Sequence, residues 1–121
     1  MASTKAITVT RLPGADLDVR LVTWAALGNG DDGAVLELTD YADMTFSVDG
    51  TFGTGGSITL KGSNDGVNYY PLSDPQGTAI TKTAAGTKRV TESLRYIKPY
   101  CTAGDGTTAL VPYLLCRRGS R

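Results

Sequence analysis

Histidine is absent from this 121-residue chain, and with it go the commonest general base, the commonest metal ligand and the Ser-His and Cys-His nucleophile pairs. Glutamate is nearly absent too, with only Glu37 and Glu92, and the aspartates sit mostly in turn contexts such as Asp49-Gly50, Asp65-Gly66 and Asp105-Gly106. A glycosidase-type carboxylate pair needs one carboxyl in an apolar niche, and turn-building accounts for these aspartates instead. No enzyme, no catalytic residue, no resident cofactor or metal and no small-molecule substrate is expected. No apolar run approaches the roughly 18 residues that cross a bilayer, and the N-terminus, MASTKAITVTRL, lacks the apolar core of a signal peptide. The expectation is a soluble cytoplasmic product with no membrane partner.

Net charge is also missing, because twelve basic residues cancel twelve acidic ones, so no strong field draws the molecule onto nucleic acid or an anionic surface. The distribution is uneven. Residues 16–49 carry eight acids against Arg20 alone, and residues 82–121 carry eight bases against Glu92 and Asp105. Either the two ends form separate patches through which copies meet, or the strands interleave and the charges mix. Cysteine is limited to Cys101 and Cys116. A hairpin turning at Gly104-Asp105-Gly106 would hold the two sulfurs several residues apart along the ladder, too far to bridge, so two buried free thiols are expected.

Short alternating runs are abundant. In residues 44–72, MTFSVDGTFGTGGSITLKGSNDGVNYYPL, the residues Met44, Phe46 and Val48 alternate with Thr45, Ser47 and Asp49, and Ile58 with Leu60 and Val67 with Tyr69 repeat the period of two. Turn residues at Asp49-Gly50 and Asp65-Gly66 predict consecutive β-hairpins. Residues 17–27, LDVRLVTWAAL, read as a strand covered on both faces. Residues 38–43 have the capping residues for one helical turn and nothing to extend it. Further strands are expected at 34–38, 78–83, 88–93, 96–102 and 109–116, with Pro99 and Pro112 marking edges or bulges because proline has no N–H for a ladder. The count is nine or ten short strands in one domain, an all-β antiparallel sandwich or jelly-roll-like barrel over residues 18–121. Residues 1–17, closed off by Leu12-Pro13-Gly14, read as an N-terminal arm.

Other motifs have ordinary explanations beside functional ones. Gly53-Thr54-Gly55-Gly56-Ser57 lacks the Lys and following helix of a phosphate loop. The oxygen-rich stretches 29–33 and 64–68 lack EF-hand spacing and use Asn and Asp for turns. Trp24, Tyr69, Tyr70, Tyr96, Tyr100 and Tyr113 serve either as core or as a stacking platform; alternation puts Tyr69 and Tyr70 on opposite faces, and the outward one is the better partner contact. Arg117, Arg118 and Arg121 form a basic tail that is either solvated or set against an acidic partner.

The stretches GSITLKGSNDGVNYYPLSDPQGTAIT (residues 56–81) and LRYIKPYCTAGDGTTALVPYLLCRR (residues 94–118) together resemble the small head decoration, or capsid cement, proteins of tailed bacteriophages, in particular those of Chi-like flagellum-dependent siphophages. The resemblance covers about half the chain. It implies a β-sandwich that forms a homotrimer on the outer surface of the expanded virion head and clamps neighbouring major capsid protein subunits, with an extended terminus reaching to adjacent capsid protein. The partner contacts expected on this basis are Ile7, Val9, Arg11, Leu12, Tyr70, Arg117 and Arg118. A GSNDG run followed by an aromatic also resembles carbohydrate-binding β-sandwiches, so a glycan-binding module of a tail fibre or host-surface protein is the alternative. A tail-tube or head-completion component is the third.

Overall fold

The computed structural model describes residues 4–11, 19–37, 41–91 and 94–118, with the backbone alone at 11, 41, 42 and 118. Twelve strands form in chain order: β1 (Thr4–Lys5), β2 (Ile7–Arg11), β3 (Val19–Trp24), β4 (Asp32–Gly33), β5 (Leu36–Glu37), β6 (Tyr41–Thr51), β7 (Ser57–Ser63), β8 (Tyr70–Pro71), β9 (Thr81–Lys82), β10 (Gly86–Val90), β11 (Tyr96–Ala103) and β12 (Ala109–Arg118). No helix occurs among the described residues. Five of the strands are only two residues long, which is why the number exceeds the nine or ten expected: turn-rich segments pair briefly and part again.

The strands make two sheets that pack face to face as a β-sandwich. The seven-stranded sheet runs β1-β4-β11-β7-β8, with β5 also on β11 and β9 also on β7; the five-stranded sheet runs β10-β6-β12-β3-β2. Among the described strand pairs only β1/β4 is parallel. The alternation of β6 is as predicted: Met44, Phe46 and Val48 are buried, Thr45 and Ser47 half-buried, Asp49 exposed. Trp24, Leu27 and Leu114 join Phe46 from one side, and Ile58, Leu60 and Ile97 from the other, all essentially without solvent exposure. At roughly 1.5–3 kcal/mol for each fully buried large side chain, this layer is what holds the sheets together.

Several sequence expectations change once the sheets are known. The β6-to-β7 connection is a crossover between sheets, not a hairpin. Gly50 lies inside β6 with φ of 106°, and the turn is made by Gly53 and Gly55 at φ of 67° and 73°. The loop after β7 does return as a hairpin, pairing Lys61 with Pro71 and Gly62 with Tyr70, but Val67 stands in that loop at 78% exposure and not in a strand. Residues 41–43 open β6 where a helical turn was expected; 38–40 lie outside the described residues. The turn at 104–106 likewise joins different sheets. Cys101 is therefore in the seven-stranded sheet and Cys116 in the five-stranded one, both buried and unpaired with each other; the thiols are free as expected, for a different reason. Burial pushes the Cys116 thiol up to about 12.

Both prolines sit in central strands, contrary to the expectation of edges or bulges. The Cys101 N–H reaches Asp31 on the β4 side, so two residues earlier Pro99 turns its missing donor the same way, toward the break between β4 and β5. Leu110 exchanges hydrogen bonds with Leu27, so Pro112 likewise faces the break between the end of β3 and that bridge. A proline in an inner strand costs no ladder bond where the neighbouring strand is interrupted.

The described part of the segment read as an arm, residues 4–11, crosses between the sheets. Thr4 and Lys5 pair with Asp32 and Gly33 in one sheet, and Ile7 through Arg11 pair with Trp24 through Arg20 in the other. Ala25 and Ala34 donate to the Ala6 and Lys5 carbonyls at 3.0 and 2.8 Å and fasten the crossing.

Candidate partner-binding surfaces

The outer face of the seven-stranded sheet is built from the residues of β11 and β7 that alternate away from the core. Lys61 lies over the Tyr100 ring at 4.4 Å, Lys98 over Tyr69 at 4.6 Å and Arg95 over Tyr96 at 5.0 Å. Lys98 also pairs with Asp32 at 3.1 Å and Arg95 with Glu37 at 3.0 Å, the latter contact raising the Arg95 pKa. Thr4 donates to the other oxygen of Asp32 at 2.9 Å. Aromatic rings with cations over them at this spacing are mutually satisfied, each pair contributing on the order of 0.5–1 kcal/mol at an exposed site.

The outer face of the five-stranded sheet has a different chemistry. Leu110, Leu114 and Cys116 of β12 point into the core, yet Val111, Tyr113 and Leu115 between them are also apolar and are half-buried on the outside. Leu21 lies directly opposite Leu115, and Thr23 opposite Tyr113; Thr45 and Ser47 flank the same pair from β6. Strands that are apolar on both faces are the kind covered on both faces. Among the described residues the charge on this face lies at its rim: Arg117 near the end of β12 and Arg89 on the edge strand β10, opposite Thr45, share Asp43 at 2.9 and 3.7 Å, and Asp49 is exposed at the other end of β6.

At one open side of the sandwich the loop after β7 makes a third surface. Asp65 accepts hydrogen bonds from the Val67 and Asn68 backbone N–H groups at 2.8 and 2.9 Å, from Ser63 Oγ at 2.8 Å and from Asn68 Nδ2 at 3.0 Å. These donors, the Asn68 N–H foremost, hold its carboxyl well below the usual carboxylate range. Asn64 Oδ1 accepts from the Arg95 N–H at 3.1 Å, tying the loop to β11. Tyr70 pairs with Gly62 and so continues the inward row beyond the core's edge, where the residue is 65% exposed. Beside it lies a shallow cavity of about 250 Å³ lined by Gly62, Ser63, Asn64, Asp65, Asn68, Tyr70 and Leu94.

Those of the expected contact residues whose side chains are described do not form one patch. Ile7 is packed against the core and Val9 is 47% exposed on β2; Arg117 is exposed and paired with Asp43; Tyr70 belongs to the other sheet. Leu12 and the side chains of Arg11 and Arg118 lie outside the described residues, as does Arg121. Of the six candidate platform aromatics, Trp24 is core, with Nε1 donating to the Ala34 carbonyl at 2.8 Å. Val111 and Leu115 are not among the expected contacts, although the run 109–116 is apolar on both parities, whereas Leu21 lies in the segment expected to be covered on both faces.

The charge halves interleave. Asp32, Glu37 and Asp43 from the acidic segment pair with Lys98, Arg95 and Arg89 or Arg117 from the basic one, so there is no two-ended field among the described residues. In the oxygen-rich loop 29–33, Asp31 accepts the Gly28 N–H at 2.8 Å and pairs with Lys5 at 3.6 Å. In the glycine-rich loop 53–57, the Thr54 N–H points at Asp105 of the 104–108 turn at 2.9 Å. Asp105 is held low by Thr107 and that Thr54 N–H, as Asp74 is by the Thr78 N–H and by Lys88 of β10 at 3.3 Å. Turn-building and sheet-to-sheet ties account for these carboxylates.

No protein-family model matches the chain, and no curated protein matches it. Among solved structures it is similar to the SPBc2 prophage-derived protein YomS, with a TM-score of 0.63 at 8% identity over 85% of this chain and 97% of that one. It also matches PliG of Aeromonas hydrophila, a periplasmic inhibitor of g-type lysozyme, at a TM-score of 0.46 and 12% identity over 98% of both chains. A match to the oxalate decarboxylase of Lactobacillus farciminis has a TM-score of 0.43 at 11% identity and spans 29% of that chain. The first of these likenesses establishes a shared fold over 85% of this chain; at such identity it is a likeness of fold alone.

Proposed function

We propose that this chain is a non-enzymatic structural protein of a tailed-bacteriophage virion: a head decoration or cement protein, made in the host cytoplasm, that binds the outer surface of the expanded capsid as a homotrimer and braces neighbouring major capsid subunits. The observation that carries the reading is the fold held in common with a prophage-derived protein over 97% of that protein's length, taken with the resemblance of residues 56–81 and 94–118 to decoration proteins. A protein that binds only the assembled shell stabilises it by mass action, and a trimer engaging three sites gains avidity from contacts that are individually weak. For the contact between copies we assign the outer face of the five-stranded sheet, where Val111, Tyr113, Leu115 and Leu21 supply apolar surface that a second copy would cover.

The test is to mix the purified protein with expanded heads that lack it. Saturable co-sedimentation, a higher capsid melting temperature and a trimeric mass by light scattering are expected. A monomer that neither binds heads nor shifts their melting overturns the reading, and hexameric rings point instead to a tail-tube or head-completion component.

A further inference from the structure

We propose that the cavity between the 64–69 loop and Tyr70 is a carbohydrate-binding site that takes one sugar ring of a surface polysaccharide. Three features make it a built site. The first is an aromatic platform: Tyr70 is anchored to β7 through its pairing with Gly62, yet the residue is 65% exposed at the rim. The apolar C–H face of a pyranose stacks on such a ring, and an aromatic with two side-chain torsions loses little entropy in doing so. The second is the floor. Gly62 is overlain by Leu72 and Leu94, so closely that a Cβ there would lie 2.9 Å from Leu72 Cδ2; the pocket is apolar beneath and polar at the rim.

The third is a pair of amides whose orientation is determined by chemistry. Asn64 accepts from a backbone N–H, which only its carbonyl oxygen can do, leaving its NH₂ group as a donor. Asn68 donates to a carboxylate, which only its NH₂ can do, leaving its carbonyl oxygen as an acceptor. Both residues line the cavity. One donor and one acceptor on a loop pinned by four bonds to Asp65 match neighbouring hydroxyls, which each give and take one hydrogen bond. Asp65 also sets the class of ligand: its negative charge, spent on loop N–H groups, stands in the wall, which favours a neutral sugar over a nucleotide with its phosphate.

A single open site of this size binds weakly. On the proposed virion surface many copies would act together, and avidity would turn weak binding into retention on a glycan-coated cell; only this last step rests on the decoration reading.

The test uses the full-length protein on a printed array of bacterial polysaccharides and oligosaccharides, followed by ¹⁵N NMR titration with the monosaccharides of any hit. Expected are array hits and shifts confined to residues 62–70 and 94–95, with Tyr70→Ala losing at least tenfold in affinity and Asn64→Ala severalfold. Head binding by Asn64→Ala should stay unchanged. Tyr70→Phe, which keeps the stacking face, should retain most of the binding, and a ¹⁵N spectrum of Tyr70→Ala unchanged outside residues 62–70 and 94–95 shows that its loss is not misfolding. Silence on the array with no shifts under glucose, galactose or N-acetylglucosamine overturns the proposal, as do shifts elsewhere on the surface or a preference for nucleotides. Because head binding is measured separately, its failure would sink the virion reading while leaving the sugar site standing, and the converse holds too.

Discussion

The two outer faces of this sandwich are made by the same backbone geometry and finished in opposite ways. On the seven-stranded sheet, Lys61, Lys98 and Arg95 lie over Tyr100, Tyr69 and Tyr96, and two of those cations also meet carboxylates. On the five-stranded sheet, Val111, Tyr113, Leu115 and Leu21 present apolar surface, with the described charges at the rim. A face that satisfies its own polar groups needs nothing laid upon it. A face of aliphatic side chains gains roughly 25 cal/mol for each Å² it removes from water, so the asymmetry separates a finished surface from an unfinished one.

The sharpest way to break that comparison uses adjacent residues of β12. Leu114→Ala, on the inner side at 0% exposure, should cost about 2–5 kcal/mol in urea unfolding. Its neighbour Leu115→Ala should cost under about 1 kcal/mol as a monomer, because the site opens to solvent and leaves no cavity. Leu115→Glu should instead abolish association in light scattering while leaving the circular dichroism spectrum intact; association that survived it would move the copy contact elsewhere.

Next in size is Gly50→Ala. The residue has φ of 106°, and a Cβ there would run into the Ala109 carbonyl, so a loss of about 1–3 kcal/mol is expected. Gly77→Ala, also at positive φ but with no atom within 4 Å of the added carbon, should lose less, which isolates the clash from the backbone strain.

Acid probes the turns and ties that frame the faces. Asp65, Asp74 and Asp105 all titrate below their ordinary value of 3.8 in the fold. Their stabilisation is therefore present in full above that value and is lost as pH falls through it toward their folded values. The urea midpoint should be flat from neutrality to mildly acid pH and drop steeply below about 4. Asp65→Asn should start from a lower plateau and drop less; a midpoint that fell already between pH 7 and 5 would contradict this assignment.

The smallest effect expected is on the finished face, where Lys61→Ala should cost about 0.5–1 kcal/mol and leave association untouched. If it disrupted assembly as Leu115→Glu does, the two faces would not differ in role.

How much was legible beforehand depended on whether a feature is local. Alternation in β6, the turns built on Asp65 and Asp105 and the all-β class follow from the period of two and from the backbone preferences of Gly, Asp and Asn, which act within a few residues. Which strand meets which is not local. The crossovers at 52–56 and 104–106 read as hairpins because a turn looks the same whether the chain returns beside itself or passes to the opposite sheet. Pro99 and Pro112 were misplaced for the same reason, since only the pairing reveals where a neighbouring strand is interrupted. The cavity at Tyr70 likewise needed Leu94, thirty residues from Asn64, to supply its floor. Short-range sterics in the amino-acid order determined that this chain would pleat and where it would bend. Long-range packing alone decided which of its apolar rows became core and which was left facing outward, because burial is settled by what the rest of the chain brings to cover it.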